Sequence, residues 1–359
     1  MSNNIHSVFK GTGSYIPSRQ IKNEDFLTHE FYDVDGKRLE KENHEIIDKF
    51  LNITGIKERR YVTDDLVTSD IASYAAESAI ESAAIDREEL DYIIVAHNFG
   101  DVSYANRHSD IVPSIASRVK HKLKIQNPNT VAYDVVFGCP GWLEGIIQAD
   151  CFIKSGMAKK VLVIGADVLS RVSDPHDIDS MLYADGAGAA ILVAKESDTP
   201  IGIIGHITRC DTLLYSNLLE MKGSYRPGNK DNRLYLKMQG HGVYKYALEK
   251  VADAIKSCLE KSSTHLNKIG KVLIHQANGK MDEAILKKLY KLYDIVDLPE
   301  YIMPMTIEWL GNSSVATLPT LFDRVLNNKL EGHKIGLGDT LVFASVGAGM
   351  NINALVYKV

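Results

Sequence analysis

Three residues carry the chemistry that can be read from this chain, and each stands where an apolar run gives way to a helical pattern. Cys139 lies in VAYDVVFGCPGWLEGIIQADCFIK, at the end of a strand-like run and directly before a buried helix. A thiol at a helix start has its pKa drawn down by the positive end of the helix dipole, and N–H groups of the first turn can meet an oxyanion. The same residue reads equally well as a small core hydrophobe, the usual place of a free cysteine. His275 closes the run KVLIHQA ahead of a helix near Met281; alone, it is either a proton-handling group or a satisfied buried imidazole. Asn312 sits in a Gly-Asn-Ser-Ser turn before an apolar helix, where a plain helix N-cap is the simpler explanation. Together, Cys, His and Asn supply a nucleophile and two neutral hydrogen-bonding groups that can converge on one substrate.

The elements that must position them alternate. Apolar runs at 92–97, 160–167, 189–194, 271–277 and 340–349 read as buried strands, and helical patterns occupy 69–85, 141–155, 240–261, 280–293 and 313–329. Strands alternating with helices give an α/β protein whose sheets are covered on both faces. The order of elements plays twice, although no identity between the halves is visible. A polar, Pro-containing link in KESDTP puts a boundary near residue 195, dividing the chain into 1–195 with Cys139 and 196–359 with His275 and Asn312. Residues 24–49 are highly charged and read as a surface insertion or cover.

Composition narrows the function. A chain of 359 residues, 45% hydrophobic and 24% charged, can build one large or two ordinary cores. A net charge of −5 without a clustered basic face leaves no footprint for nucleic acid. No signal-peptide pattern or membrane-length apolar run is present, so a cytoplasmic protein without a membrane partner is expected. Four scattered cysteines with no CxxC pair point to free thiols and no metal site. GTGS at 11–14 lacks the spacing of a dinucleotide fingerprint, so no nicotinamide or flavin cofactor is expected. His176 in SDPHD reads as a surface-loop residue.

GCPGW around Cys139, HQAN at 275–278, GNSS at 311–314, YADGAGAAIL at 183–192 and SVGAGM at 345–350 resemble the motif series of β-ketoacyl-acyl-carrier-protein synthase III. ITGIKERRYV (53–62) and MQGHGVYKYAL (238–248) fall in the same order, so the resemblance spans the whole chain. It implies a thiolase-like fold, two similar halves in a five-layer αβαβα sandwich, and a homodimer joined across an edge strand. It further implies that Cys139 accepts an acyl group from a thioester, with backbone N–H groups of Cys139 and of the Gly347–Ala348 turn meeting the oxyanion. His275 and Asn312 would then donate hydrogen bonds to the carbonyl of a malonyl-type thioester, so that carbon dioxide loss leaves an enolate that attacks the acyl-cysteine. A neutral amide suits position 312, because a carboxylate would repel the enolate. The substrates implied are coenzyme A and acyl-carrier-protein thioesters, with no further cofactor and with acyl carrier protein as partner.

Departures from the family concern the substrate. Lys49 stands about where a Trp stacks on adenine, and Ile53 where an Arg is common; Arg171, in DVLSRVSDP, resembles a second adenine-contacting residue. A carrier-protein-bound donor is therefore plausible, and Lys280, after HQAN, reads either as a grip on a phosphopantetheine or an acidic carrier surface or, equally well, as a solvated lysine. HSDIVPSIASRVK resembles the dimer-interface loop that closes the partner's acyl pocket; in it Val112, before Pro113, replaces the Phe of acetyl-preferring relatives, and either leaves room for a longer or branched acyl group or has its space refilled by Ile111 or a shifted loop. CPGW replaces the usual CSGF or CAGF, and Trp142 is read as substrate-binding. Glu144 shares a helix face with Gln148 and Cys151; it is either a base for a second condensation, as in dialkylresorcinol or cyclohexanedione synthesis, or an acid paired with a basic residue. Two other readings stay open: an acyltransferase to an alcohol or amine, and a non-catalytic partner subunit, against which the intact Cys139, His275 and Asn312 argue. A thiolase proper needs a second cysteine near SVGAGM, and none is there.

Overall fold

The apolar runs become the strands of two sheets in a computed structural model that describes residues 4–359. The first sheet takes β1 (Ile5–Tyr15), β2 (Tyr92–Ala96), β3 (Val131–Val135), β4 (Lys160–Val168) and β5 (Asp185–Glu196). The second takes β6 (Gly202–Cys210), β7 (Ile269–Ile274), β8 (Thr340–Gly347) and β9 (Asn351–Lys358). Their orders are β1-β5-β4-β2-β3 and β6-β9-β8-β7. In each, the first strand pairs antiparallel with the last, the last antiparallel with the one before it, and the next pairing is parallel. The duplication that sequence identity hides is thus written in strand order.

Alternation along the strands sorts side chains to opposite faces. On β4, Val161 and Val163 enter one core and Leu162 and Ile164 another. On β8, Leu341 and Phe343 share the core of Val161, while Val342 and Ala344 join a third. The shared core lies between the sheets and is filled by α4 (Gly141–Lys154) and α7 (Thr317–Leu326). Helices α2 (Thr68–Ala83) and α3 (Ile115–Lys122) cover the outer face of the first sheet; α5 (Gly240–Lys261) and α6 (Gly279–Lys291) cover that of the second. The result is five layers. Residues 24–49 lead into α1 (Asn43–Thr54), whose Ile46 and Phe50 pack with Phe26, Phe31 and Leu182 in a fourth cluster, so this charged segment is a cover with its own apolar underside.

Three expectations are corrected here. The pattern at 313–329 is not one helix: Ser314 has φ 54, the left-handed region, and residues 314–316 form a separate 3-10 turn before α7. Trp142 is not at the substrate. It is fully buried between the sheets, 6.4 Å from the Phe343 ring, with its indole N–H donating to the Val163 carbonyl at 3.3 Å. Glu144 leaves the opposite side of α4 and accepts hydrogen bonds from Thr208 Oγ1 on β6 at 3.1 Å and Asn353 Nδ2 on β9 at 2.9 Å. Its partners are neutral and it lines no cavity with Cys139.

Close packing under the site depends on Gly165 of β4. A Cβ there would lie 2.4 Å from the Val315 carbonyl oxygen, inside the turn that follows Asn312. Gly165→Ala is expected to push that turn away at a cost of about 1–3 kcal/mol. Denaturant unfolding and malonyl-thioester decarboxylation should both report the loss.

Candidate active site

Cys139, His275, Asn312 and Gly347 line one cavity of about 50 Å³, together with Ser314, Tyr183, Leu169, Val346 and Met350. Cys139, His275 and Gly347 arrive from strand ends, whereas Asn312 follows a short helix, Ile307–Leu310, through Gly311. Cys139 follows β3 through Gly138, whose φ of 67 suits glycine, and a Cβ at Gly138 would fall 2.7 Å from Ala348 N. A Cβ at Gly347 would fall 2.5 Å from Cys139 N. The Cys139 and 347–348 turns therefore touch, one from each half of the chain, as an oxyanion pocket made of backbone requires.

His275 follows β7, and its N–H donates to the Ala344 carbonyl at 2.9 Å. The next residue fixes the loop: Gln276 Nε2 donates to the Pro304 carbonyl at 2.8 Å, while its Oε1 accepts from the N–H groups of Thr306 and Ile307 at 2.8 and 3.0 Å. Asn312 is pinned across the chain: its N–H donates to the Leu182 carbonyl at 2.9 Å and its carbonyl accepts from Ala184 N–H at 2.8 Å. Asn312 Oδ1 accepts from Ser314 N–H at 2.8 Å, so the amide NH2 is the group left for the cavity.

Electrostatics divide the two halves. Burial pushes the Cys139 thiol up to about 11, with the Asp167 charge adding to the rise and the Ser314 hydroxyl, 3.4 Å from the sulfur, opposing it. The downward shift expected from the helix start is reversed, because removing the sulfur from water costs its anion more than the helix end returns. Burial likewise pushes His275 down to about 4, which keeps the imidazole neutral through the neutral range. In the unfolded chain the ring takes up a proton as pH falls through about 6.5. In the folded protein it does so only near 4. Stability held by the neutral ring is thus complete above the unfolded value and drains away as pH falls toward the folded one. Decarboxylation of a malonyl thioester is expected to stay level on the acid side down to about pH 5. An acid limb centred near 6.5 in that pH–rate profile would mean an ordinary solvated imidazole.

The remaining residues scatter. Arg171 is buried, its guanidinium donating to the carbonyls of Val102 at 3.3 Å and Thr63 at 2.9 Å and lying 5.2 Å from the Tyr104 ring centroid. These contacts consume it, and it does not reach the adjoining cleft, where Ile178 forms the wall instead. Lys280 is exposed at the start of α6, beside Met281 at the cleft but not lining it. Val112 is 82% exposed and lines neither cavity of its own chain, as a residue of a loop expected to reach a partner's acyl pocket would. His176 is held by the Glu30 carbonyl, 2.9 Å from its Nδ1. Sequence reasoning missed Ser314 as a site residue, although it stands in the GNSS turn, and missed Asn98, a polar residue just past the end of β2. Among the described residues no group of three or more His, Cys, Asp or Glu is placed to hold a metal, and no helix is long and apolar enough to cross a membrane.

Two family descriptions match the chain: 3-oxoacyl-[acyl-carrier-protein (ACP)] synthase III over residues 133–211 and its C-terminal counterpart over residues 259–359. β-Ketoacyl-[acyl-carrier-protein] synthase III 1 of Vibrio parahaemolyticus is 34% identical over 355 residues, 99% of this chain and 100% of that protein. The chain belongs to the 3-oxoacyl-[acyl-carrier-protein] synthase III family. It is a condensing ketosynthase, a transferase that joins acyl groups by Claisen condensation. The synthase III of Aquifex aeolicus superposes with a TM-score of 0.79 at 28% identity, covering 98% of this chain and 100% of that one. The priming β-ketosynthase of the R1128 polyketide biosynthetic pathway superposes with a TM-score of 0.79 at 25% identity, covering 98% and 96%. This synthase thus has its relatives' thiolase-type fold from end to end.

Proposed function

We propose that this synthase loads an acyl group onto Cys139 and condenses it with a malonyl- or 3-oxoacyl-thioester whose carbonyl is held by His275 and Asn312. The observation that carries the reading is the convergence of these three side chains, from both halves of the chain, on one small cavity. That cavity adjoins a cleft of about 830 Å³ that shares Met238, Val243, Ala277, Met281 and Asn312 with it. The walls of the cleft are apolar at Ile46, Phe50, Ile53, Ile178 and Leu182. Among the described residues no Arg and no Trp lines it, so the Trp and Arg pair that resemblance to the family leads one to expect around an adenine does not line this cleft. A donor carried by acyl carrier protein fits this wall better than coenzyme A. No cofactor beyond the thioesters enters the proposed chemistry.

We further propose a cytoplasmic homodimer, formed where β3 is the open edge of the first sheet and Val131 and Val136 are exposed. The division near residue 195 then separates a half that carries the nucleophile from one that carries the carbonyl-binding pair. Intact-protein mass spectrometry with matched acyl-carrier-protein and acyl-coenzyme A donors tests the donor. Faster loading from the carrier protein supports the reading, and equal or faster loading from coenzyme A overturns it. Adding malonyl and 3-oxoacyl extenders then separates fatty-acid initiation from specialised polyketide assembly.

A further inference from the structure

Beneath the Cys139 sulfur runs a chain of hydrogen bonds with one direction. Asp167, at the end of β4 and 1% exposed, accepts from Asn98 N–H at 2.9 Å and from Asn98 Nδ2 at 2.7 Å. The carboxylate therefore fixes which way the Asn98 amide faces, since only its NH2 side can donate. The other hydrogen of the same Nδ2 goes to Ser314 Oγ at 3.1 Å. With a lone pair of that oxygen occupied by a donor, its own hydrogen is free to point onward, and Cys139 Sγ accepts it at 3.4 Å. Ser314 is 5% exposed, so bulk water does not compete freely for the hydroxyl.

We propose that Ser314 is a catalytic residue of the acylation step: its hydroxyl, oriented by Asn98 and through it by Asp167, donates to the Cys139 sulfur and stabilises the attacking thiolate. This rests on Cys139 being the nucleophile. In the step itself the Cys139 Sγ–acyl bond forms, the donor's own acyl–sulfur bond breaks, and the proton lost by the thiol leaves on the departing thiol. Ser314 takes up no proton, because its hydroxyl acts as a hydrogen-bond donor to the sulfur and a neutral alcohol is far too weak a base to hold the thiol's proton. Asn98 and Asp167 are positioning residues.

The arrangement answers a difficulty of the buried thiol. Burial and the Asp167 charge both resist the thiolate, and the Ser314 hydroxyl is the side chain that acts the other way. Asp167 lies near enough to be stabilised by Ser314 as well, so the carboxylate and the sulfur compete for one hydrogen. The short contact from the hydroxyl is to the sulfur.

The test compares Ser314→Ala and Ser314→Gly with the unaltered enzyme. Both substitutions retain the backbone N–H that holds Asn312, and glycine accepts the φ of 54 without strain, so a folding defect confined to the alanine variant is recognisable. A hydrogen bond to an ionised group is expected to move the thiol by about one to two pKa units. Iodoacetamide alkylation of Cys139 at a fixed pH near 8 should therefore slow by roughly 10-fold or more. Acyl loading should slow with it by a similar factor. Unchanged alkylation and loading in both variants would place the hydrogen on Asp167 and overturn the proposal. If the unaltered enzyme acquires its acyl group at another residue, the nucleophile assignment fails instead, and the peptide carrying the label shows which.

Discussion

Cys139→Ser is expected to abolish the acyl-enzyme, lowering loading by roughly 10⁴-fold or more, the scale seen when a nucleophile is removed from a site that works as a unit. A serine hydroxyl in the same cavity keeps the volume and the hydrogen bonds but ionises far less readily than a thiol, and burial that already pushes the thiol up to about 11 would act on an alkoxide too. The variant should fold, since the cavity wall is nearly unchanged. It should also go on decarboxylating malonyl thioester without condensing it. Intact-mass measurement after incubation with acyl donors gives the reading directly. A stable acyl adduct on the serine variant, at the rate of the unaltered enzyme, would remove Cys139 from the mechanism.

The second large effect belongs to the opposite wall. His275→Ala and Asn312→Ala are each expected to leave loading of Cys139 intact and to cut decarboxylation by about 10²–10³-fold, the usual cost of one donor lost from an oxyanion site. Asn312→Asp should do worse than alanine. One carboxylate oxygen would accept from Ser314 N–H as Oδ1 does now, leaving the other to face the enolate with charge of the same sign. It would also lift the His275 pKa from about 4 and erode the flat acid side of the profile. Loading and carbon dioxide release are measured separately, so the two walls can be scored independently. Loss of loading with decarboxylation preserved would exchange their roles.

Much of this was legible in the residues. The strand runs at 160–167, 271–277 and 340–349 became β4, β7 and β8, because continuous apolar stretches bounded by turns are what a sheet covered on both faces demands. Cys139, His275 and Asn312 stood out as polar groups at strand-to-helix turns, and they meet in one cavity. The sidedness of α4 was legible only in part. Its polar stripe of Glu144, Gln148 and Cys151 could be read, but what that stripe faces, Thr208 and Asn353 rather than a cavity, and the burial of Trp142 between the sheets are set by strands distant in sequence. Arg171 failed for a related reason: its place after a strand was readable, but not the carbonyls of Val102 and Thr63 toward which it turns. The direction of the Cys139 shift was missed because the helix start is written in the local sequence and burial is not. Asn98 and Ser314 are 216 positions apart, and nothing local in either segment announces the hydrogen bond between them.

The layer shared by the two sheets has a mechanical consequence. Helices α4 and α7 are packed by both halves at once, and Asn312 is tied by its backbone to Leu182 and Ala184, so no hinge axis runs between the nucleophile and the carbonyl-binding pair. The catalytic frame is rigid by construction. With the proposed carrier-borne donor, turnover is expected to be paced by the delivery and withdrawal of a tethered acyl arm rather than by the opening and shutting of domains, and its rate should respond more to the carrier's docking than to solvent viscosity acting on the protein itself.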